Sequence, residues 1–191
     1  IWFMRVVETS IAIAVFTASP KSITPLMIDG SAASTPRLDV FMSLWNHHTN
    51  YTPQVVEAFL VPPAGTLPDF WRDWTTRGAF PWESEGYPYW SNLRHVQTWW
   101  DYRGLPNVLF VHFNHLLTRL SEAIERVASY LGIPLNPVRR DRIAEDVTFA
   151  TIREKADSSF GGMKGMFVDG ARTFFHKGTN GRWASALSGA D

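Results

Sequence analysis

The chain has 191 residues, a formal net charge of zero and 45% hydrophobic residues. This length can bury the core of one domain, and the composition excludes both a disordered chain and a broadly polyanion-binding protein. The sequence has no cysteine, which excludes disulfides, thiolate metal sites and a cysteine nucleophile. Nine tryptophans and thirteen phenylalanines favour a thick core beside an apolar cleft.

The start of the sequence gives no sign of membrane insertion. Its longest apolar run, residues 11–18, is too short to span a bilayer, and Glu8 argues against a signal peptide. The absence of cysteine fits a cytoplasmic protein, and we expect no membrane span. We also expect no nucleic-acid partner, since the net charge is zero, and no metal ion. We expect one domain over residues 1–191, with an irregular or degenerate N-terminal part over residues 1–35.

The predicted elements begin with a segment of ambiguous type. Residues 1–16 fit a strand or a helix, with a mild preference for a strand because apolar and small residues alternate. The small residues at 31–35 predict a turn, and a helix is predicted from Arg37. Asp39 suits the first turn of this helix, near its positive end. The apolar stripe of the helix consists of Val40, Phe41, Leu44 and Trp45.

Two helices are predicted in the middle of the chain. Residues 67–74 read as a short helix that begins at its proline and Asp69. Residues 89–103 read as an amphipathic helix that ends before a Gly-Leu-Pro sequence. Between them, the aromatic loop of residues 80–87 fits two roles equally well, the lining of an apolar acceptor pocket or a cover for the core.

The second half of the chain has clearer patterns. Residues 107–113 are continuous and β-rich, which predicts a buried strand. Residues 118–131 predict a helix with Gly132 at its C-terminal cap, and another helix begins at Arg139. Residues 158–165 contain two adjacent glycines and predict a mobile linker. The expected core face of the 118–131 helix consists of Leu120, Ile124, Val127 and Leu131.

Residues 173–187 read T-F-F-H-K-G-T-N-G-R-W-A-S-A-L and predict a loop that can hold an anion. Its two glycines permit positive φ, so consecutive backbone N–H groups can turn toward a ligand. Lys177 adds a mobile charge, and His176 is a second donor that is cationic near or below pH 6.5. Trp183 is a large apolar anchor for the far end. The same residues also fit an ordinary surface turn.

This stretch resembles the R-K-G-x-x-G-x-W signature of PAPS-dependent sulfotransferases, where PAPS is 3′-phosphoadenosine-5′-phosphosulfate. In that family the signature grips the 3′-phosphate of the sulfate donor. Here His176 stands where the family has Arg, and Arg182 stands where it has Asp. The resemblance covers residues 20–187. It implies an α/β fold of the P-loop type, with a small parallel sheet flanked by many helices and truncated at the N-terminus.

The resemblance implies a donor site built from several segments. The run from Arg37 resembles R-D-P-R-D-V-x-x-S, so Ser43 matches a serine that hydrogen-bonds the 3′-phosphate, and Arg37 is a displaced substitute for an arginine that aligns with Thr35. Residues 147–152 resemble S-F-x-x-M, whose hydroxyl and ring contact adenine. Phe113 matches a tyrosine that touches the nucleotide. The implied donor-site residues are Arg37, Ser43, Phe113, Thr148, Phe149, His176, Lys177 and Gly178.

Residues 20–26, P-K-S-I-T-P-L, admit two assignments within the family. One is the loop P-K-S-G-T-T-W, which cradles the 5′-phosphosulfate; the other is the K-T-H-x-P-L segment with the catalytic histidine. Only about a dozen residues precede the next motif, too few for the crossover that the first assignment requires. The second is therefore favoured. Lys21 then matches the family lysine, Ile23 stands at the histidine position, and the first phosphate loop is expected to be absent.

The implied reaction is sulfuryl transfer from PAPS to a hydroxyl or amine of a small apolar acceptor, without a metal. Lys21 is the matched catalytic residue, and His47 or His48, one turn past Ser43, is a candidate substitute base. An alternative is a catalytically impaired nucleotide-binding or interaction module, or a fragment of a sulfotransferase. A third hypothesis is a helical protein that binds an apolar ligand through its aromatic residues.

Overall fold

A parallel pair of strands joins two distant parts of the chain. The structure is a computed structural model that describes residues 26–29, 35–89 and 91–187, with residues 26–29 and 35–37 described by their backbone. Strand β1, Leu26–Asp29, pairs with β2, Leu109–His112, and Leu26 lies opposite Leu109. Parallel neighbours require a long crossover, which the intervening helices supply.

The described residues between the strands form α1, Thr35–Thr49; α2, Pro53–Phe59; α3, Leu67–Thr76; and α4, Asn92–Trp100. After β2 come α5, Phe113–Thr118; α6, Leu120–Tyr130; α7, Pro137–Asp146; α8, Phe149–Glu154; α9, Ala156–Ser159; and α10, Ala171–Phe174. Two 3₁₀ helices cover Gly161–Gly165 and Arg182–Ser185. The predicted class, a small parallel sheet flanked by many helices, is confirmed. No described helix has both the length and the apolar character that crossing a membrane requires.

The α1–α3 core forms where these two helices pack together. Phe41 is fully buried, and its ring centroid lies 5.5 Å from that of Trp74 and 5.8 Å from that of Phe70. Aromatic pairs are favourable at such distances. The predicted stripe of α1 is confirmed, although Trp45 is only half-buried. The buried side chains of this core are Val40, Phe41, Met42, Leu44, Phe70 and Trp74.

Helix α3 begins with a reciprocal cap. The Thr66 hydroxyl accepts a hydrogen bond from the Asp69 backbone N–H at 3.2 Å and donates one to the Asp69 carboxylate at 2.7 Å. Both bonds satisfy groups that a helix start would otherwise leave unpaired. The sequence predicts the proline and Asp69 as the start of this helix; the structure adds Thr66 as the capping residue.

A second core lies between β2 and α6. The residues of α6 that are buried are Ala123 and Ala128, because small side chains let the helix approach its neighbours closely. The larger residues predicted for this face are half-buried around them. The predicted cap is confirmed: Gly132 has a φ of 67°, and the Ile133 N–H donates to the Ala128 carbonyl at 2.9 Å.

Two predicted segments differ from the structure. Helix α4 is shorter than predicted because the Ser91 hydroxyl accepts from the Arg94 N–H at 3.0 Å and fixes its start. Helical turns occupy the expected linker of residues 158–165, where the Phe160 N–H donates to the carbonyl of the fully buried Ala156 at 2.8 Å. Their local hydrogen bonds explain the difference. The predictions for residues 1–16 and for most of the 31–35 turn lie outside the described residues.

We expect Trp74→Ala to lower the free energy of unfolding by about 3–5 kcal/mol, because it leaves a cavity beside Phe41. Trp74 is 1% exposed, whereas Trp82 is 62% exposed. Trp82→Ala is therefore the matched control and should cost about 1 kcal/mol or less. Equilibrium unfolding in urea measures both, and equal losses would contradict this placement of the core.

Candidate functional site

The C-terminal loop, residues 175–182, is held to α1 on both sides. Just before it, the Asn46 side-chain amide donates to the Thr173 carbonyl at 3.0 Å. Near its end, the Gly181 N–H donates to the Asp39 carboxylate at 2.7 Å. Asp39 lies beyond the first turn of α1, since this helix begins two residues earlier than the sequence predicts. Its carboxylate therefore binds the loop and does not cap the helix.

The backbone of the C-terminal loop has the predicted conformation. Gly178 and Gly181 have φ values of 61° and 82°. A Cβ atom on Gly178 would lie 2.5 Å from the Phe149 ring, so no side chain fits there without a shift of the ring. Phe149 and Gly178, both implied donor-site residues, are thus neighbours. Trp183 packs against the α1–α3 core, which confirms the predicted anchor.

A cleft of about 320 Å³ lies between α1 and the C-terminal loop. From the loop side, His176, Lys177 and Arg182 line it with basic groups. The remaining lining residues are Met42, Trp45, Asn46, Thr49, Ser185 and Ala186. One wall is therefore a helix whose other face forms the core, and the opposite wall carries the positive charge.

The charges around His176 make this cleft attractive to an anion. Partial burial lowers the pKa of His176 below its ordinary value, and the positive charges of Arg182, Lys177 and Arg153 lower it further. Arg153 is held beside the loop because its Nε–H donates to the Phe175 carbonyl at 2.9 Å. At neutral pH, His176 is therefore an uncharged hydrogen-bonding group among cations. A bound anion would relieve the repulsion between them.

Arg182 and Asp39 are oppositely charged neighbours, and both are partly removed from water. Burial lowers the pKa of Arg182, and the negative charge of Asp39 opposes this shift. Burial raises the pKa of Asp39, and the backbone hydrogen bond from Gly181 and the charge of Arg182 oppose it. The Asp39 carboxylate thus accepts backbone hydrogen bonds of the loop while partly balancing the charge of the cleft.

The other implied donor-site residues lie on α1, before α8 and after β2. Ser43 is half-buried on α1, next to the cleft-lining Met42, and Arg37 is in the first turn of α1. Thr148 precedes Phe149, but its hydroxyl accepts from the Thr151 N–H at 3.2 Å and caps α8. Phe113 packs against the core between β2 and α6. Among the described side chains, those of Ser43, Thr148 and Phe113 are not part of the cleft lining, and Arg37 is described by its backbone alone.

The candidate bases His47 and His48 are both buried, at 1% and 5% exposure. The His47 ring stacks on Phe174, with centroids 5.0 Å apart. His48 hydrogen-bonds the Tyr89 hydroxyl at 2.9 Å and the Pro62 carbonyl at 2.8 Å, and burial lowers its pKa. Both rings lie within the protein interior and outside the cleft lining, so this geometry does not favour either as a base. Lys21 lies outside the described residues.

The sequence reasoning missed Arg153 and Arg182 as parts of the site. Arg153 lies more than twenty residues before the loop, and only the packing of α8 beside Gly178 reveals its proximity. Arg182 stands inside the loop motif, at a position where the resemblance implies an aspartate. The sequence could have indicated Arg182 through its charge, because Arg182 and Lys177 are two cations around a glycine-rich turn and such a pair favours an anion site.

We expect Gly178→Ala to lower the melting temperature more than Gly181→Ala. Both substitutions place a side chain at positive φ, which costs about 1–2 kcal/mol. Only at Gly178 does the added Cβ meet the Phe149 ring; the space around Gly181 is open. Phe149→Leu combined with Gly178→Ala should recover part of the loss. Equal effects at the two glycines would contradict the contact with Phe149.

Removal of a neighbouring cation should raise the pKa of His176. We expect this for Lys177→Gln, measured by NMR titration of the imidazole resonances, because the charged form of His176 is then less repelled. Arg172→Gln is the control, since Arg172 is exposed and pairs with Asp157 at 3.4 Å. A pKa that moves equally in both variants would contradict the charge arrangement described here.

The comparisons with known proteins agree on one family. The family model of the sulfotransferase domain matches residues 36–190. Human sulfotransferase 2B1 is 26% identical over 180 residues, which cover 94% of this chain and 44% of that protein. Sulfotransferase 6B1 of Danio rerio is 27% identical over 131 residues, or 69% of this chain and 39% of the relative. The chain thus spans less than half the length of these relatives.

Solved structures agree in fold. A retinol dehydratase in complex with androsterone and the inactive cofactor PAP matches 85% of this chain and 41% of its own, with a TM-score of 0.60 and 24% identity. A mouse sulfotransferase complexed with PAP matches 86% of this chain and 51% of its own, with a TM-score of 0.62 and 17% identity. The fold is therefore the P-loop-type fold of these enzymes, and the chain belongs to the PAPS-dependent sulfotransferase family.

Proposed function

We propose that the cleft between α1 and the C-terminal loop binds the 3′-phosphate of PAPS. The observation that carries this proposal is the convergence of Lys177, Arg182 and His176 on one cleft, with Arg153 close behind. A phosphate is the natural occupant of such a group, because cations and hydrogen-bond donors both stabilise its charge. The chain would then supply this half of a sulfotransferase donor site.

The adenine ring of the nucleotide would lie near Phe149. Gly178 leaves room for the Phe149 ring to approach the loop backbone closely, which fixes an aromatic surface beside the phosphate cleft. An aromatic ring supports a base by stacking, and such stacking typically contributes about 1–3 kcal/mol. Ser43, Arg37 and Thr148 would complete the donor site, and Phe113 would contact the nucleotide, as the family resemblance implies.

The reaction we propose is sulfuryl transfer to a hydroxyl or amine of a small apolar acceptor. PAPS supplies the sulfuryl group, and this chain's residues hold the nucleotide in place. One structural relative, retinol dehydratase, was solved in one complex with androsterone and in another with retinol, and both ligands are largely apolar. The aromatic loop near Trp82, whose ring stacks on Phe80 with centroids 4.9 Å apart, is the proposed acceptor side. A cytoplasmic location is part of the proposal and rests on the cysteine-free sequence.

The second candidate is a nucleotide-binding module that does not transfer sulfate. The burial of His47 and His48 favours it, because both rings lie in the protein interior, where the hydroxyl of an acceptor cannot reach them. A positioned base contributes about 10²–10⁴-fold to such a reaction. Transfer from PAPS to a panel of small phenols and alcohols separates the candidates, since only a sulfotransferase gives a sulfated product.

We expect this chain to bind 3′,5′-ADP, the desulfated donor, and Lys177→Ala to weaken the affinity at least about tenfold. The reason is the loss of a charge-assisted hydrogen bond, which is worth about 1.5–3 kcal/mol. Isothermal titration calorimetry measures both proteins, and Lys155→Ala is the control because Lys155 lies outside the cleft lining. Equal affinity in the Lys177 variant and the unmodified protein would remove the proposed phosphate site.

A further inference from the structure

Arg182 lies beside the cleft on a stretch of backbone that is anchored on both sides. Its predecessor, Gly181, is hydrogen-bonded to Asp39, and its successor, Trp183, packs against the α1–α3 core. The backbone on both sides is thus fixed to the body of the protein. From this anchored backbone, the Arg182 side chain lines the cleft.

The guanidinium group of Arg182 is only partly solvated. Its Nε atom is buried and has no hydrogen-bond partner among the described residues. Within the same described part of the chain, no carboxylate lies in ion-pair contact with Arg182, although Asp39 is near enough to shift its pKa. A partly buried cation that lacks a close partner is costly, which an added anion would offset.

The planar shape of the guanidinium group favours a phosphate as the ligand. A guanidinium presents five N–H donors in a planar fork, and this fork matches two oxygens of one phosphate. Lys177 faces the same cleft and offers a second, mobile positive charge. A fixed fork and a mobile cation together suit a phosphate dianion better than a carboxylate, which carries one charge.

We propose that Arg182 is a direct ligand of the phosphate group that this cleft binds, with its guanidinium and the Lys177 ammonium on the same anion. The inference rests on the proposed function for the identity of the nucleotide. It adds a binding residue at the one position of the loop motif where the chain carries an extra cation. Arg182 would also supply a second positive charge for the anion in a loop where the residue before Lys177 is a neutral histidine, His176.

Calorimetric titrations with 3′,5′-ADP and with inorganic pyrophosphate test this inference. We expect Arg182→Gln to weaken 3′,5′-ADP binding at least about tenfold, as the loss of a charge-assisted pair implies. Arg182→Lys keeps the charge but lacks the fork, so it should lose less. Arg172→Gln removes an equal charge from an exposed pair with Asp157 and should bind like the unmodified protein. Melting temperatures confirm that each variant is folded, and Arg182→Lys carries the test if Arg182→Gln does not fold.

The outcomes separate this inference from the proposed function. If 3′,5′-ADP binds equally well to Arg182→Gln and to the unmodified protein, the inference is wrong and the nucleotide site stands. If pyrophosphate binds in an Arg182-dependent way and 3′,5′-ADP does not bind, Arg182 is a phosphate ligand and the proposed function is wrong. If the unmodified protein binds neither probe, both are overturned.

Discussion

The hydrogen bond between the Gly181 N–H and the Asp39 carboxylate joins residues 142 positions apart, and the site depends on it. It is charge-assisted, and such bonds contribute about 1.5–3 kcal/mol. Without it, the attachments of this segment to α1 that the described residues show are the packing of Trp183, the hydrogen bond from the Asn46 amide and the stacking of His47 on Phe174. The bond uses a carboxylate in an otherwise basic surrounding, so it holds the loop in place while leaving Lys177 and Arg182 facing the cleft.

Helix α1 contributes to both the core and the cleft, because its side chains lie on different faces of the helix. Phe41 and Leu44 are buried in the core with α3, whereas Asn46 and Thr49 face the cleft. The position of the cleft wall is therefore determined by the aromatic packing beneath it. This coupling follows from helical periodicity, since residues three and four apart share a face.

Much of the fold could be predicted from the sequence, because hydrophobic periodicity reports on which side of an element is buried. The stripe of α1, the strand around Val111 and the cap at Gly132 are examples. The prediction failed where tertiary contacts decide the outcome. The half-buried larger residues of α6 depend on how closely its alanines let it approach β2, and no local pattern encodes that distance.

For the site, the loop motif correctly predicted the glycine conformations and the Trp183 anchor. It could not predict that Phe149 lies against Gly178, because α8 reaches the loop only through the tertiary fold. The sequence also could not predict that both ring nitrogens of His48 form hydrogen bonds, one with Tyr89 and one with Pro62, since those partners come from separate segments. A histidine in a sequence gives its chemistry, whereas its availability depends on which groups fold around it.

The two walls of the cleft differ in secondary structure, since one is a helix and the other a loop, and this difference determines where the entropy of binding is lost. The α1 wall is continuous with the core, so a ligand gains contacts there at little ordering cost. The opposite wall is a loop that is anchored at Gly181 and Trp183 but exposed at Lys177, Thr179 and Asn180, and a ligand must reduce the freedom of this exposed part. Substitutions that stiffen this loop without touching the ligand would therefore change affinity through entropy, and would do so mainly by slowing dissociation.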